Sequence, residues 1–229
     1  MLSSKRERAA SLLREAVELY APAVFASSLG AEDMVVLDMI DRDRLPIAVF
    51  TLDTGRLHQE THDLLQRIRH RYRVPIAVYA PESADIESYV GAHGPNGFYD
   101  SIELRRACCG IRKVKPLKRA LAAKRSWITG LRREQSVTRE ELPLKEWDAE
   151  NQLHKFNPLA EWSTDEVWDY LREYDVPTNA LHALGYPSIG CLPCTLAIAP
   201  GEDPRAGRWW WEGASYRECG LHPRGAYHG

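Results

Sequence analysis

No stretch of the 229 residues approaches the ~18 uninterrupted apolar residues of a membrane-spanning helix. The opening residues, Met1-Leu2-Ser3-Ser4-Lys5-Arg6-Glu7-Arg8, have no apolar core like that of a secretory signal. Charge of one sign is not in excess: 30 Lys and Arg stand against 32 Asp and Glu, a formal net charge of −2. Wholesale binding to nucleic acid or to a membrane surface is therefore not expected. Internal repeats and low-complexity tracts are missing. Cysteine is scarce, at five residues. Without a secretory leader the chain reads as cytoplasmic, where thiols stay reduced and cysteines more often bind metal or catalyse than cross-link.

An apolar content of 44 % with 27 % charged residues fits a globular protein. The length suits one domain, 1–229, that buries roughly 70–75 % of its unfolded surface. Apolar residues Ala9, Leu12, Leu13, Ala16 and Val17 recur at helical spacing, predicting a helix from Lys5 to Tyr20. Short apolar runs follow at 23–26, 47–51, 76–79 and 126–129, with helical texture between them; Leu153 to Phe156 adds a further candidate strand. Thr164 to Tyr174 reads as a helix capped by Ser163. Fully apolar strands alternating with helices predict an α/β fold, a mostly parallel sheet flanked by helices. From Val176 onward prolines and glycines predict irregular chain, and about 208–229 is expected to be a mobile C-terminal tail.

Ligands of such sheets bind beyond the carboxyl ends of the strands. Three polar turns fall there. Ser27-Ser28-Leu29-Gly30 opens a helix, and its amides and hydroxyls suit an anion. Asp53-Thr54-Gly55-Arg56 offers a carboxylate for a ribose hydroxyl and a guanidinium for phosphate or sulfate. Arg132, Arg133 and Ser136 follow the fourth strand. Each turn alone could be an ordinary capped turn; together they point to a nucleotide-like ligand.

Four of the five cysteines form two pairs, Cys108-Cys109 and Cys191-Leu192-Pro193-Cys194. Four thiolates from two segments suit a tetrahedral zinc or the four irons of a cubane cluster. Adjacent cysteines depart from the zinc-knuckle spacing, and Arg105, Arg106, Arg112 and Lys113 would offset a cluster's negative charge. That favours iron–sulfur, with zinc and uncoordinated thiols left open. Cys219, in Glu218-Cys219-Gly220-Leu221-His222, is left over and is a candidate nucleophile. Its thiolate is the reactive form, and Arg217 and His222 would favour it. Upstream, Arg205, Arg208 and Trp209-Trp210-Trp211 could form a ligand wall or a packed edge.

In this order the motifs resemble the assimilatory sulfonucleotide reductases, specifically the bacterial adenylyl-sulfate (APS) reductase type. The resemblance spans nearly the whole chain. It implies an adenine nucleotide alpha-hydrolase-like fold, related to the PP-loop ATP pyrophosphatases, and one [4Fe–4S] cluster on Cys108, Cys109, Cys191 and Cys194. It implies that Cys219 attacks the sulfur of adenosine 5'-phosphosulfate, releasing AMP and leaving an S-sulfocysteine that a thioredoxin-type dithiol resolves to sulfite, in sulfate assimilation and cysteine biosynthesis. Lys113, Arg205 and Arg208 would meet sulfate and phosphate, and the turns at Ser27 and Asp53 would hold the nucleotide.

Relatives that use the 3'-phosphorylated substrate (PAPS) generally lack the cluster cysteines, so the five cysteines here favour APS. Plant-type reductases carry a C-terminal redox domain; this chain stops seven residues after His222, so a separate thioredoxin is the expected donor. Homo-oligomers are compatible with everything above. Two other classes stay open: a PP-loop iron–sulfur tRNA thiolase, which would want a Ser-Gly-Gly-x-Asp-Ser loop, and a zinc or redox-sensing module without nucleotide turns.

Overall fold

A computed structural model describes residues 2–135 and 141–213. Ser136, Cys219 and His222 lie outside the described residues, as does the tail beyond Gly213. The sheet comprises β1 (Ala23–Ala26), β2 (Ala48–Leu52), β3 (Ile76–Tyr79), β4 (Ser126–Ile128), β5 (Lys145–Asp148) and β6 (Leu153–Phe156). Their order is β3-β2-β1-β4-β6-β5. All neighbours pair in parallel except β5, which runs antiparallel to β6.

The central strands β1, β2 and β4 read as largely apolar runs because both faces are covered. Phe25, Val49, Ile128 and Phe156 pack on one side with α1 (Leu2–Tyr20), α2 (Ala31–Arg42), α3 (Gln59–Arg71) and α7 (Thr164–Glu173). Val24, Phe50, Trp127 and Leu153 pack on the other against Leu117, Ala120 and Leu121 of α6 (Lys115–Leu121). Ser163 caps α7, as the sequence indicates, and Glu166 completes a reciprocal capping box.

Two local features carry no signature in the sequence pattern. The stretch 145–148, charged like a loop, is the edge strand β5. Its polarity suits an edge: Glu146 faces Lys155 across the ladder at 3.0 Å, and Trp147 stands edge-on to His154 at 5.1 Å. Second, the helix over the adjacent cysteines does not stop there. α5 (Ile102–Cys109), begun by Ser101, runs through a π-helical turn, Gly110–Val114, directly into α6. Pro116 explains the wide turn. Its missing N–H and its ring are incompatible with a regular bond to the Arg112 carbonyl four residues back, and one π-turn relieves both constraints. α4 (Ser83–His93) packs beside this turn.

β1 lies between β2 and β4, where the strand order changes direction. The turns leaving β1 and β4 diverge there, which opens a crevice at the carboxyl edge. Away from it, Asp38 of α2 is 2 % exposed and accepts hydrogen bonds from Tyr72 (3.1 Å), Tyr170 (2.9 Å) and Arg42 (2.5 Å). Burial and the carboxylate together push both phenols well up. This knot ties α2, α3 and α7 behind the crevice. Asp38→Ala leaves two buried hydroxyls without an acceptor and is expected to lower stability by about 2–4 kcal/mol, read as a lower urea midpoint with unchanged slope.

Candidate active site

A cavity of about 730 Å³ fills the crevice. Ser27, Ser28, Gly30, Thr54, Lys113, Arg132, Arg205 and Arg208 line it, with apolar walls from Phe50, Leu52, Leu117, Trp127 and Trp168. Asp53, Gly55, Arg56 and Arg133 are not among the lining residues. The Asp53 carboxylate accepts the Gly55 N–H at 2.8 Å, closing its own turn. Arg133 turns away, donating to the Leu142 carbonyl at 2.9 Å.

The turn after β1 already holds an anion. Asp33, in the first turn of α2, accepts from the Ser28 amide at 2.5 Å and the Ser28 hydroxyl at 2.6 Å, and from the Gly130 backbone. A Cβ at Gly130 would lie 2.1 Å from Asp33 Oδ1, so the turn after β4 requires glycine. The sequence presents Ser27 to Gly30 as the anion cradle; it does not reveal that the chain's own carboxylate engages Ser28. An acidic side chain three residues past the glycine was the available signal.

Charge in the cavity is segregated. Arg132, read as a ligand-binding cation, donates to Glu32 at 2.7 and 3.0 Å, to Glu134 at 3.2 Å and to the Trp162 carbonyl at 3.2 Å, so most of its capacity is spent inside the protein. At the other end stand Lys113, Arg205 and Arg208. The Arg208 guanidinium lies over the Trp209 ring at 4.7 Å and donates to Ser188 Oγ at 3.1 Å. A Cβ on Gly190 would come within 2.3 Å of it, so a side chain there would displace the guanidinium.

Cys108, Cys109, Cys191 and Cys194 line a second, small cavity with Arg56, Arg105, Arg112, Phe98 and Trp209. The π-turn brings Arg112 and Lys113, consecutive residues, into the interior together. Arg112 donates to the Thr54 carbonyl at 2.6 Å, and Thr54 Oγ1 lies 3.2 Å from Cys191 Sγ. Burial pushes the Cys108 thiol up, with the nearby Cys191 adding to it, and pushes Cys194 up to about 12. Thiols so placed ionise together only if positive charge joins them, and Lys113 and Arg208 already act on Cys194 in that direction. Among the described residues no three His, Cys, Asp or Glu side chains are disposed around a single metal ion. Lys113 and Cys191 belong to both cavities, so the cationic end of the large one is the wall of the small one.

Burial raises Asp33 from 3.8 to about 6, against the opposing bonds from Ser28. A carboxyl raised on folding contributes stability below its unfolded value, lost as pH rises through its folded value. The difference corresponds to about 3 kcal/mol. Asp33→Asn removes this dependence. Between pH 4 and pH 7 the variant should gain about 2 kcal/mol relative to the parent in denaturant titrations.

The chain matches the family described as phosphoadenosine phosphosulfate reductase domain over residues 22–197. A protein of Allochromatium vinosum named adenosine 5'-phosphosulfate reductase is 56 % identical, over 97 % of this chain and 87 % of its own length. One of the same name from Burkholderia cepacia is 53 % identical, over 96 % and 88 %. Among solved structures, phosphoadenylyl-sulfate (PAPS) reductase from Candida auris, a phosphate complex, gives a TM-score of 0.72 at 27 % identity, covering 85 % of this chain and 96 % of that one. Candida glabrata FMN adenylyltransferase, with FAD and pyrophosphate, gives 0.58 at 13 % identity over 89 % and 71 %, a likeness of fold alone. The sheet thus has the PP-loop-related nucleotide-binding architecture that the motifs imply, and by sequence the chain belongs to the phosphoadenosine phosphosulfate reductase family.

Proposed function

We propose that the protein reduces adenosine 5'-phosphosulfate to sulfite and AMP, with Cys219 as nucleophile and a thioredoxin-type dithiol as electron donor. The observation that carries this reading is the shared wall: a nucleotide-sized cavity whose cationic end adjoins four cysteines through Lys113 and Cys191. The names of the relatives in Allochromatium vinosum and Burkholderia cepacia support APS over PAPS as substrate.

In this mechanism the adenosine lies against the apolar walls at Phe50, Leu117 and Trp127, and the phosphosulfate points toward Lys113, Arg205 and Arg208. The Cys219 thiolate attacks the sulfate sulfur. An S–S bond forms, the S–O bond to the phosphate breaks, and AMP leaves with the electron pair. The cations neutralise the oxygens on which charge accumulates. A thiolate of the donor then attacks Cys219 Sγ and displaces sulfite. Its second thiol closes the donor's disulfide, releases Cys219 and completes the two-electron reduction. One oxidised donor and two protons balance each APS consumed.

Cys108, Cys109, Cys191 and Cys194 would hold a [4Fe–4S] cluster. Four thiols in one buried cavity, surrounded by Arg56, Arg105, Arg112 and Lys113, fit such a group in donor type and in charge. Bound there, it supplies a fixed charge beside Lys113 and none of the electrons of the reduction. Iron and acid-labile sulfide should therefore be found in equal amounts, and both should fall in Cys194→Ser.

Incubating the protein anaerobically with APS should add a sulfonate, about 80 Da, to the peptide containing Cys219. Cys219→Ser should retain the iron content and release no sulfite. An adduct on Cys108 or Cys194 would contradict the assignment. Parallel rates with APS and PAPS, expected to favour APS, test the substrate.

A further inference from the structure

We propose that the ion pair between Arg105 and Glu212 is a positioning contact for the transfer to Cys219, holding the segment ahead of that residue onto both cysteine-bearing segments. The inference rests on Cys219 being the nucleophile.

Arg105 and Glu212 are 107 residues apart in sequence and meet by two bonds, Nε to Oε1 at 2.9 Å and Nη2 to Oε2 at 2.7 Å. Their side chains are 0 % and 3 % exposed. Arg105 lies one helical turn before Cys109 on α5 and also hydrogen-bonds it. Its guanidinium sits over the Trp209 ring at 4.9 Å. Trp209 in turn donates its backbone N–H to the Cys194 carbonyl at 3.1 Å, and the Glu212 N–H donates to the Trp209 carbonyl at 2.8 Å. The five residues from Arg208 to Glu212 thus touch the large cavity through Arg208, one cysteine pair through Trp209 and the other through Glu212.

Cys219 follows Glu212 by seven residues. Seven residues reach at most about 25 Å when extended. Fixing their base sets the volume the thiol can search, and with it the effective concentration of thiol at the sulfate. A buried ion pair is a poor way to gain stability, because desolvation offsets most of the attraction, but a two-point guanidinium–carboxylate contact fixes direction.

The test compares Glu212→Gln with the parent in three measurements: AMP affinity by calorimetry, iron content, and the single-turnover rate of sulfonate transfer from APS to Cys219. AMP affinity and iron should stay within about two-fold, while transfer slows by about ten-fold or more. Transfer at the parental rate, or AMP affinity falling in step with transfer, overturns the positioning role. If Glu212→Gln does not fold, Glu212→Asp replaces it; that variant keeps the buried charge but is too short to keep the two-point contact, and the same loss is expected. Absence of the adduct in the parent protein overturns both readings, whereas a normal parental adduct with an equally fast variant overturns only the ion pair's role.

Discussion

Parallel pairing of β1 on both sides constrains everything else in this molecule. With β2 on one side and β4 on the other, the connections out of the sheet go opposite ways, which leaves a crevice between them. The two turns that border the gap are tied to each other through Asp33, which accepts from Ser28 after β1 and from the Gly130 backbone after β4. The crevice is therefore braced by a carboxylate that burial penalises. That penalty is tolerable only because three hydrogen bonds converge on the group and because the apolar packing beneath it, Phe25, Val35 and Ile128, is complete.

Electrostatics then divides the crevice. At one end Glu32 and Glu134 engage Arg132; at the other stand Lys113, Arg205 and Arg208. An anionic group entering the cavity is drawn to the second end, which is the end that shares its wall with the cysteines. The π-turn carries both consecutive cations, with Arg112 bracing the Thr54 carbonyl and Lys113 lining the cavity.

How much of this was legible in the sequence follows the range of the interactions. The central strands β1, β2 and β4 were visible because burial on both faces leaves largely apolar runs. The cap at Ser163 was visible because it directly precedes the helical pattern; its reciprocal bond with Glu166 was not read. Grouping the cysteines as four plus one came from counting; Cys108, Cys109, Cys191 and Cys194 line one small cavity, and Cys219 lies outside the described residues. β5 was not legible, since an edge strand paired through Glu146 and Lys155 has the composition of a loop. The direction of Arg133, the internal use of Arg132, and the Ser28 donors engaged by Asp33 depend on contacts that no local pattern encodes. The same is true of Arg105 and Glu212, whose pairing spans 107 residues.

The thiols illustrate why position outweighs residue type here. A cysteine is reactive as a thiolate, and its ordinary pKa near 8.5 leaves only a few per cent ionised at neutral pH. Burial drives Cys194 to about 12, so as a free thiol it would be inert at any physiological pH. The four cysteines of this cavity, three of them buried, suit coordination, where a cation replaces the proton. In the mechanism proposed above, the nucleophile must come from outside that cavity, approach the cationic end of the crevice and meet a protein donor afterwards, requirements that conflict for a residue fixed in the core. They are compatible for one that follows an anchored segment, which is the role proposed for Trp209 and Glu212.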